Sequence, residues 1–204
     1  MTAVTQRGGT LTVLLAAGGG TRYTGRSHKL LVPVAGRAVW RWSLDAAIAA
    51  TIGPVAVVTG CVDLELPVGV TRLHNARWFE GLAGSLQLAV TNARDRDMGA
   101  VVVGLADQPC VGVDSWRRVA DSTAVLAVAT YDGERGNPVR IAAEAWPLLP
   151  RNGDEGARGV MRTNPHFVAE VPCDGSAVDL DTADDLARIE RMLGAGREEN
   201  ADAP

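Results

Sequence analysis

The chain has 204 residues, enough to bury one sizeable apolar core without disulfides or a structural metal, so a single α/β domain is the starting expectation. Its composition is 47% hydrophobic but only 4% aromatic, which suits helices packed on a sheet better than a β-sandwich. A formal charge of -4 supplies no basic field for a polyanion, so neither nucleic acid nor an anionic membrane is expected as a partner.

Leu11 to Ala17 is a continuous apolar run halted by Gly18, Gly19 and Gly20, the pattern of a strand buried on both faces that hands over to a loop. From Ala38 to Ala50, the residues Trp40, Leu44, Ala47 and Ile48 recur at three and four positions and give one helical face before Gly53-Pro54. Val55 to Thr59 is a second strand. A strand near Val70 to Leu73, a helix through Leu86, Ala89, Val90 and Ala93, and the most apolar strand, Ala100 to Leu105, come next. After Asp107-Gln108-Pro109 the pattern predicts a helix around Asp114 to Asp121, strands near Val125 to Tyr131 and Pro138 to Ile141, and two short helices flanking Gly153. A strand near Phe167 to Val171 leads to a last helix, Ala183 to Leu193. Residues 194–204 lack apolar periodicity and read as a disordered tail, leaving 1–193 as the domain.

This alternation predicts a Rossmann-like, three-layer α/β sandwich with a mostly parallel central sheet. Ligands of such sheets lie beyond the carboxyl ends of the strands, so the loops after Ala17 and Leu105 should share a rim. No apolar run approaches the roughly 20 residues that span a bilayer. Cys61, Cys110 and Cys173 have no CxxC or Cys/His spacing and read as buried thiols of a reduced cytosol, so a cytoplasmic location is expected.

Three glycines directly after a buried strand let the backbone approach a ligand and turn its N–H groups toward an anion, and Arg22 and Lys29 then add positive charge. A plain tight turn with two surface cations is the competing reading. A dinucleotide fingerprint starting at Gly18 would need glycine where Tyr23 stands. Gly20 to Ser27 approximates a Walker A loop with Arg26 at the lysine position. Such a loop opens straight into a helix, whereas Leu30-Leu31-Val32-Pro33-Val34 reads as extended chain broken by proline. A P-loop NTPase stays open as a rival of a different class.

Asp107, at the end of the most apolar strand, reads either as a magnesium ligand or as a turn residue before Pro109. Asp181 could serve the dipole of the last helix, but Thr182 with Asp185 makes a capping-box-like pair that leaves Asp181 free. His28, His74 and His166 lack ligand spacing and read as ordinary residues.

Leu15-Ala16-Ala17-Gly18-Gly19-Gly20-Thr21-Arg22, followed by His28-Lys29-Leu30-Leu31, resembles the LAAGxGxR and KLL signature of nucleotidyltransferases that act on molybdopterin, sugar phosphates and related alcohols, the molybdenum cofactor cytidylyltransferase branch above all. The likeness runs through most of the chain. Asn75 to Gly81 with Gly84-Ser85-Leu86 is similar to the family's NxxWxxG...SL segment, and Leu105 to Pro109 to its GDQP metal motif. Arg135 to Val139 and Gly153 to Arg158 resemble its RGNPV and GDxGAR segments, and Asp179 to Thr182 its DIDT.

The resemblance implies a nucleotidyltransferase-type fold and assigns roles. Leu15, Ala16, Ala17, Gly18, Gly19, Gly20, Arg22, Lys29, Asn75, Gly81 and Ser85 would bind the nucleotide, with Arg22, Lys29 and Asp107 catalytic. Asp107 and Asp181 would hold Mg2+, and Arg135, Asn137, Glu155 and Arg158 would meet the acceptor. The implied reaction moves CMP from CTP to the phosphate of a phosphorylated pterin, the molybdenum cofactor, with release of pyrophosphate. A molybdoenzyme or its maturation factor would be the onward partner. Two departures stand out: Ala106 replaces the family's glycine before Asp107, and Tyr23 to Ser27 is longer and more polar than the usual link; Gln108, which matches GDQP where guanylyl-transferring relatives have GDMP, favours CTP over GTP. A guanylyl or sugar-phosphate transferase of the same fold and a non-catalytic nucleotide-binding module stay open beside the P-loop rival.

Overall fold

A computed structural model describes residues 8–201 apart from 22, 24 and 26, without the side chains of 195–201. Strand β1 (Thr10–Ala16) is followed by a 3-10 turn (Lys29–Leu31), a hairpin of β2 (Pro33–Val34) and β3 (Arg37–Ala38), helix α1 (Val39–Ala49), β4 (Val55–Thr59) and β5 (Thr71–His74). A second 3-10 turn (Trp78–Glu80) leads into α2 (Leu82–Asp95), β6 (Ala100–Leu105), α3 (Val113–Ala120), β7 (Leu126–Tyr131) and β8 (Glu134–Ala142). The chain then forms 3-10 turns at Ala143–Leu148 and Pro165–Phe167 around α4 (Ala157–Thr163), then β9 (Val168–Pro172) and α5 (Ala183–Ala201).

Seven strands form one sheet in the order β5-β4-β1-β6-β8-β7-β9, parallel except for β8. The exception has a local cause: Asp132 (φ 51) and Gly133 (φ 84) both take left-handed backbone conformations, the two-residue turn that folds β8 back onto β7. Leu11, Val13 and Leu15 of β1 join Leu86, Ala89, Val90 and Ala93 of α2 in one core layer, while Leu14 and Ala16 join Trp40 and Leu44 of α1 and Trp116 and Val119 of α3 in the other. The period of two along a strand covered on both faces explains its unbroken apolar run. Each such fully buried Leu or Val contributes about 1.5–3 kcal/mol.

β1 pairs with both β4 and β6, and Leu15 stands opposite Val58 and Leu105, so the loops after β1 and β6 do share a rim. The Ala106 N–H donates to the Leu15 carbonyl at 3.0 Å and ties those loops together. A third apolar cluster joins Val32 and Val34 near the hairpin to Leu180 and to Ile189 of α5, and this docking carries Asp181 across to the same rim.

Three sequence expectations need correction. The cysteines are not buried thiols: Cys61 is exposed, and Cys110 and Cys173 are half-buried. The Leu30 to Val34 stretch is not simply extended: Lys29–Leu31 form a 3-10 turn, and β2 reverses into β3 through Ala35 (φ 49) and Gly36 (φ 79). The final helix, expected over Ala183 to Leu193, runs on to Ala201. Arg197, Glu198 and Glu199 are good helix formers, so the backbone pattern outlasts the apolar one.

Candidate active site

Beyond the carboxyl end of β1, the glycine loop, Lys29, and the residues after β6 enclose a cavity of about 620 Å3. It is lined by Leu15 to Thr21, Lys29, Leu30, Trp78, Phe79, Gly81, Leu82, Ser85, Leu105, Asp107, Asp154 and Asp181. The glycines differ in what they allow. A Cβ on Gly19 would come within 2.7 Å of the Trp78 ring, and Gly20 (φ 62) turns the chain against Lys29 and His28. A Cβ on Gly18 would meet nothing within 4 Å, so the fold itself does not require glycine there.

Lys29 Nζ lies 2.6 Å from Asp107 Oδ2 and 2.7 Å from Asp181 Oδ1, with the three side chains 14, 18 and 24% exposed. Burial works against the Lys29 ammonium, but the two carboxylates, Asp107 foremost, outweigh it and hold its pKa above the ordinary lysine value. Asp181 is released for this contact as its sequence suggested: Asp185 Oδ2 accepts from Thr182 N at 2.8 Å, and the Asp185 N–H returns to Thr182 Oγ1 at 3.2 Å. The third acid, Asp179, is pushed above the usual carboxylate range by burial and then by the charge of Asp107, partly offset by the Gln108 amide.

Two carboxylates gathered around one cation form the donor set that magnesium takes from proteins, with phosphate and water oxygens completing the octahedron. Among the described residues, no group of three or more His, Cys, Asp or Glu converges as a self-sufficient metal cage. The donor set therefore fits an ion that arrives with phosphate better than a resident structural metal.

Of the residues expected at the nucleotide, Leu15 to Gly20, Lys29, Gly81 and Ser85 line the cavity, together with Asp107 and Asp181. Asn75 stands behind the wall, where its Nδ2 donates to Ser85 Oγ at 3.0 Å. Arg22, and the rival Arg26, lie outside the described residues. Three of the four acceptor-side residues are not brought to the cavity. Arg135 pairs with Glu170 at 2.8 Å, Glu155 pairs with Arg162 at 2.9 Å, and Arg158 is exposed. Asn137 reaches the site indirectly, donating to Gln108 Oε1 at 3.1 Å.

Gln108 is 3% exposed and does not line the cavity. Its Nε2 donates to Asp179 Oδ1 at 2.8 Å and to the Ala177 carbonyl at 3.0 Å. The residue after Asp107 thus braces the acidic segment rather than touching a ligand in the cavity.

Asp154, Trp78 and Phe79 line the cavity although the sequence did not select them as ligand-binding residues. Asp154 Oδ1 accepts from Leu82 N at 3.2 Å and the Gly153 carbonyl accepts from Ala83 N at 2.9 Å, capping α2 from outside. The signal was available, because α2 begins at Gly81 without a local Ser, Thr, Asn or Asp cap. At Gly81 (φ 109) a Cβ would strike the Gly153 carbonyl oxygen at 2.6 Å. The glycine loop leads into a 3-10 turn and not the α-helix that a P-loop opens into, and among the described residues the cation that meets both acids is Lys29.

Residues 12–187 match the MobA-like NTP transferase domain. The chain is 29% identical over 197 residues to nicotine blue oxidoreductase of Paenarthrobacter nicotinovorans, covering 87% of this chain and 94% of that protein. It is 26% identical over 198 residues to purine catabolism protein PucB of Bacillus subtilis (strain 168), covering 89% and 96%. Among solved structures, Rv0371c from Mycobacterium tuberculosis H37Rv superposes with a TM-score of 0.75 at 25% identity, over 90% of this chain and 98% of that one. The manganese complex of Rv0371c gives a TM-score of 0.71 at 26% identity with the same coverage.

Proposed function

The chain belongs to the MobA-like NTP transferase domain family and is a nucleotidyltransferase, and from that premise we propose that it transfers CMP from CTP to the phosphate of the molybdenum cofactor, a phosphorylated pterin, and releases pyrophosphate. The observation that carries this reading is the convergence of Lys29, Asp107 and Asp181, drawn from three distant segments, beside a glycine loop in one cavity.

The reaction brings an anionic acceptor onto an anionic triphosphate, so the site must neutralise charge and align attack opposite the leaving pyrophosphate. The amides of Gly18 to Gly20 would donate to the phosphates, and Lys29 supplies a positive charge beside Asp107 and Asp181. Asp107 and Asp181 would hold Mg2+, which when bound neutralises phosphate charge as the leaving group departs. An oxygen of the acceptor phosphate forms the new bond to the α-phosphorus, while the bond from that phosphorus to the bridging oxygen breaks and pyrophosphate leaves with it. The acceptor phosphate is ionised near neutral pH, so no side chain has to remove a proton. Phe79, 69% exposed at the rim and edge-on to Trp78, offers a flat apolar face suited to a planar heterocycle.

The cytidylyl part of the proposal is supported by the Asn75 to Ser85 and Asp107-Gln108-Pro109 likenesses, and Gln108 would act through its brace on Asp179 and Asn137. Arg135, Glu155 and Arg158 remain the proposed acceptor contacts, to be freed from their surface positions when the acceptor docks. No helix among the described residues is long and apolar enough to cross a membrane. The proposed setting is the cytoplasm, with a molybdoenzyme or its maturation factor receiving the product.

One relative's name denotes an oxidoreductase and another's a purine catabolism protein, so the product decides. Purified protein should release pyrophosphate from CTP faster than from GTP, ATP or UTP, with Mg2+ and molybdenum-loaded pterin present. Equal or better turnover with GTP rejects the cytidylyl assignment. Asp107→Asn should fold but lose metal-dependent pyrophosphate release, and wild-type turnover by that variant would remove Asp107 from the metal site.

A further inference from the structure

We propose that His28 is a positioning residue that locks the Gly18–Gly19 peptide with its N–H toward the triphosphate. The side chain joins two pieces of the site. Its Nδ1 accepts from the Leu30 N–H at 3.3 Å, capping the turn that carries Lys29. Because Nδ1 accepts, the neutral ring carries its hydrogen on Nε2, which donates to the Gly18 carbonyl at 3.0 Å.

This second bond decides which way the loop faces. The Gly18–Gly19 peptide is trans, so its C=O and N–H point in opposite directions. His28 is not among the residues lining the cavity, whereas Gly18 and Gly19 are. Holding the carbonyl on the His28 side therefore aims the Gly19 N–H toward the cavity. Among the described residues, no backbone hydrogen bond uses the N–H of Gly18, Gly19 or Gly20 as donor, which leaves these groups for a ligand.

A peptide between two glycines is free of the Cβ constraints that oppose rotation about its flanking φ and ψ. Its reversal would present a carbonyl oxygen to the phosphates in place of an N–H, converting attraction into repulsion. His28 holds the carbonyl end against that reversal, and the same ring sets the turn from which Lys29 reaches Asp107 and Asp181. Its role is to orient groups that touch the ligand, without touching it.

The proposal rests on the nucleotidyltransferase reading for its ligand, and the test separates the two. His28→Gln can supply a donor near the Nε2 position, His28→Asn an acceptor near the Nδ1 position, and His28→Ala neither. The free proteins are compared by the 1H–15N signals and hydrogen exchange of Gly18, Gly19 and Gly20 and by Tm. Affinity is measured for CTP with Mg2+ and for inorganic tripolyphosphate, which lacks a base, and kcat and KM for CTP are determined. His28→Ala and His28→Asn should shift the Gly19 amide signal and weaken both ligands about tenfold or more, the scale of one misaligned hydrogen bond to a charged group. His28→Gln should restore both, and the three variants should keep a Tm close to wild type.

Wild-type ligand affinity and an unmoved Gly19 amide in His28→Ala would overturn the proposal. So would losses in affinity that merely follow Tm, or a glutamine variant as impaired as alanine. A wild-type protein that binds no nucleotide, yet whose Gly19 amide responds to His28→Ala and recovers in His28→Gln, would keep the lock and sink the transferase reading.

Discussion

Replacing Lys29 with methionine keeps an unbranched side chain of similar bulk and removes only the charge and its hydrogen bonds. The ammonium bridges Asp107 at 2.6 Å and Asp181 at 2.7 Å, and all three side chains are less than a quarter exposed. That places the triad beyond the surface regime, where an ion pair contributes about 0–1 kcal/mol. Hydrogen bonds to charged groups contribute about 1.5–3 kcal/mol, and breaking a fully buried pair costs about 3–5 kcal/mol. With both carboxylates still partly hydrated, Lys29→Met should cost about 2–3 kcal/mol. At about 2–4 °C per kcal/mol for a chain of this size, Tm should fall by about 4–12 °C in EDTA at pH 7. Adding Mg2+ or Mn2+ should recover more Tm in the variant than in the wild type, because the dication then takes the place of the lost ammonium beside Asp107 and Asp181. Calorimetry of both proteins with and without metal measures these shifts. A Tm within about 1 °C of wild type in EDTA would show that the triad does not bear on stability.

The glycines divide by what surrounds them. Gly18→Ala should fold with wild-type Tm yet lose affinity for CTP, since its Cβ would enter open space at the cavity, and unchanged binding by calorimetric titration would remove that loop from the nucleotide. Gly81→Ala combines φ 109 with a 2.6 Å clash against the Gly153 carbonyl, so it should lower Tm even without ligand; wild-type stability would mean that α2 is not capped as described. Asp179 has its pKa raised in the fold by burial and by Asp107, so wild-type stability should fall as pH rises from the unfolded-state pKa through the folded one, and stay reduced above it. Asp179→Asn should abolish that step and be more stable than wild type near pH 7 while converging toward it in acid; urea melts across this range test the sign, and an advantage that grows as pH falls would contradict it.

Most of the element order was legible because period and punctuation state it locally. The apolar run before Gly18 to Gly20 marked a buried strand, the helical spacing of Trp40, Leu44 and Ala47 marked α1, and the pairing of Thr182 with Asp185 marked the start of α5. The motifs also marked Lys29, Asp107 and Asp181 separately. What stayed hidden was of longer range. No local pattern showed that Arg135 pairs with Glu170 and Glu155 with Arg162. Nor did any local pattern show that Gln108 is held between Asp179 and Asn137.

By itself, then, the sequence determined the alternating strands and helices, the glycine loop at the end of β1 and the acids that could hold a cation, because each follows from residues a few positions apart. Only the tertiary structure decided that Lys29 meets Asp181 across 152 positions, that Asp154 caps α2, and that His28, which has no ligand spacing, grips the Gly18 carbonyl. Those contacts depend on the parallel register of β1 with β6 and on the docking of α5 near the hairpin, which sum many weak packing terms that no local pattern contains.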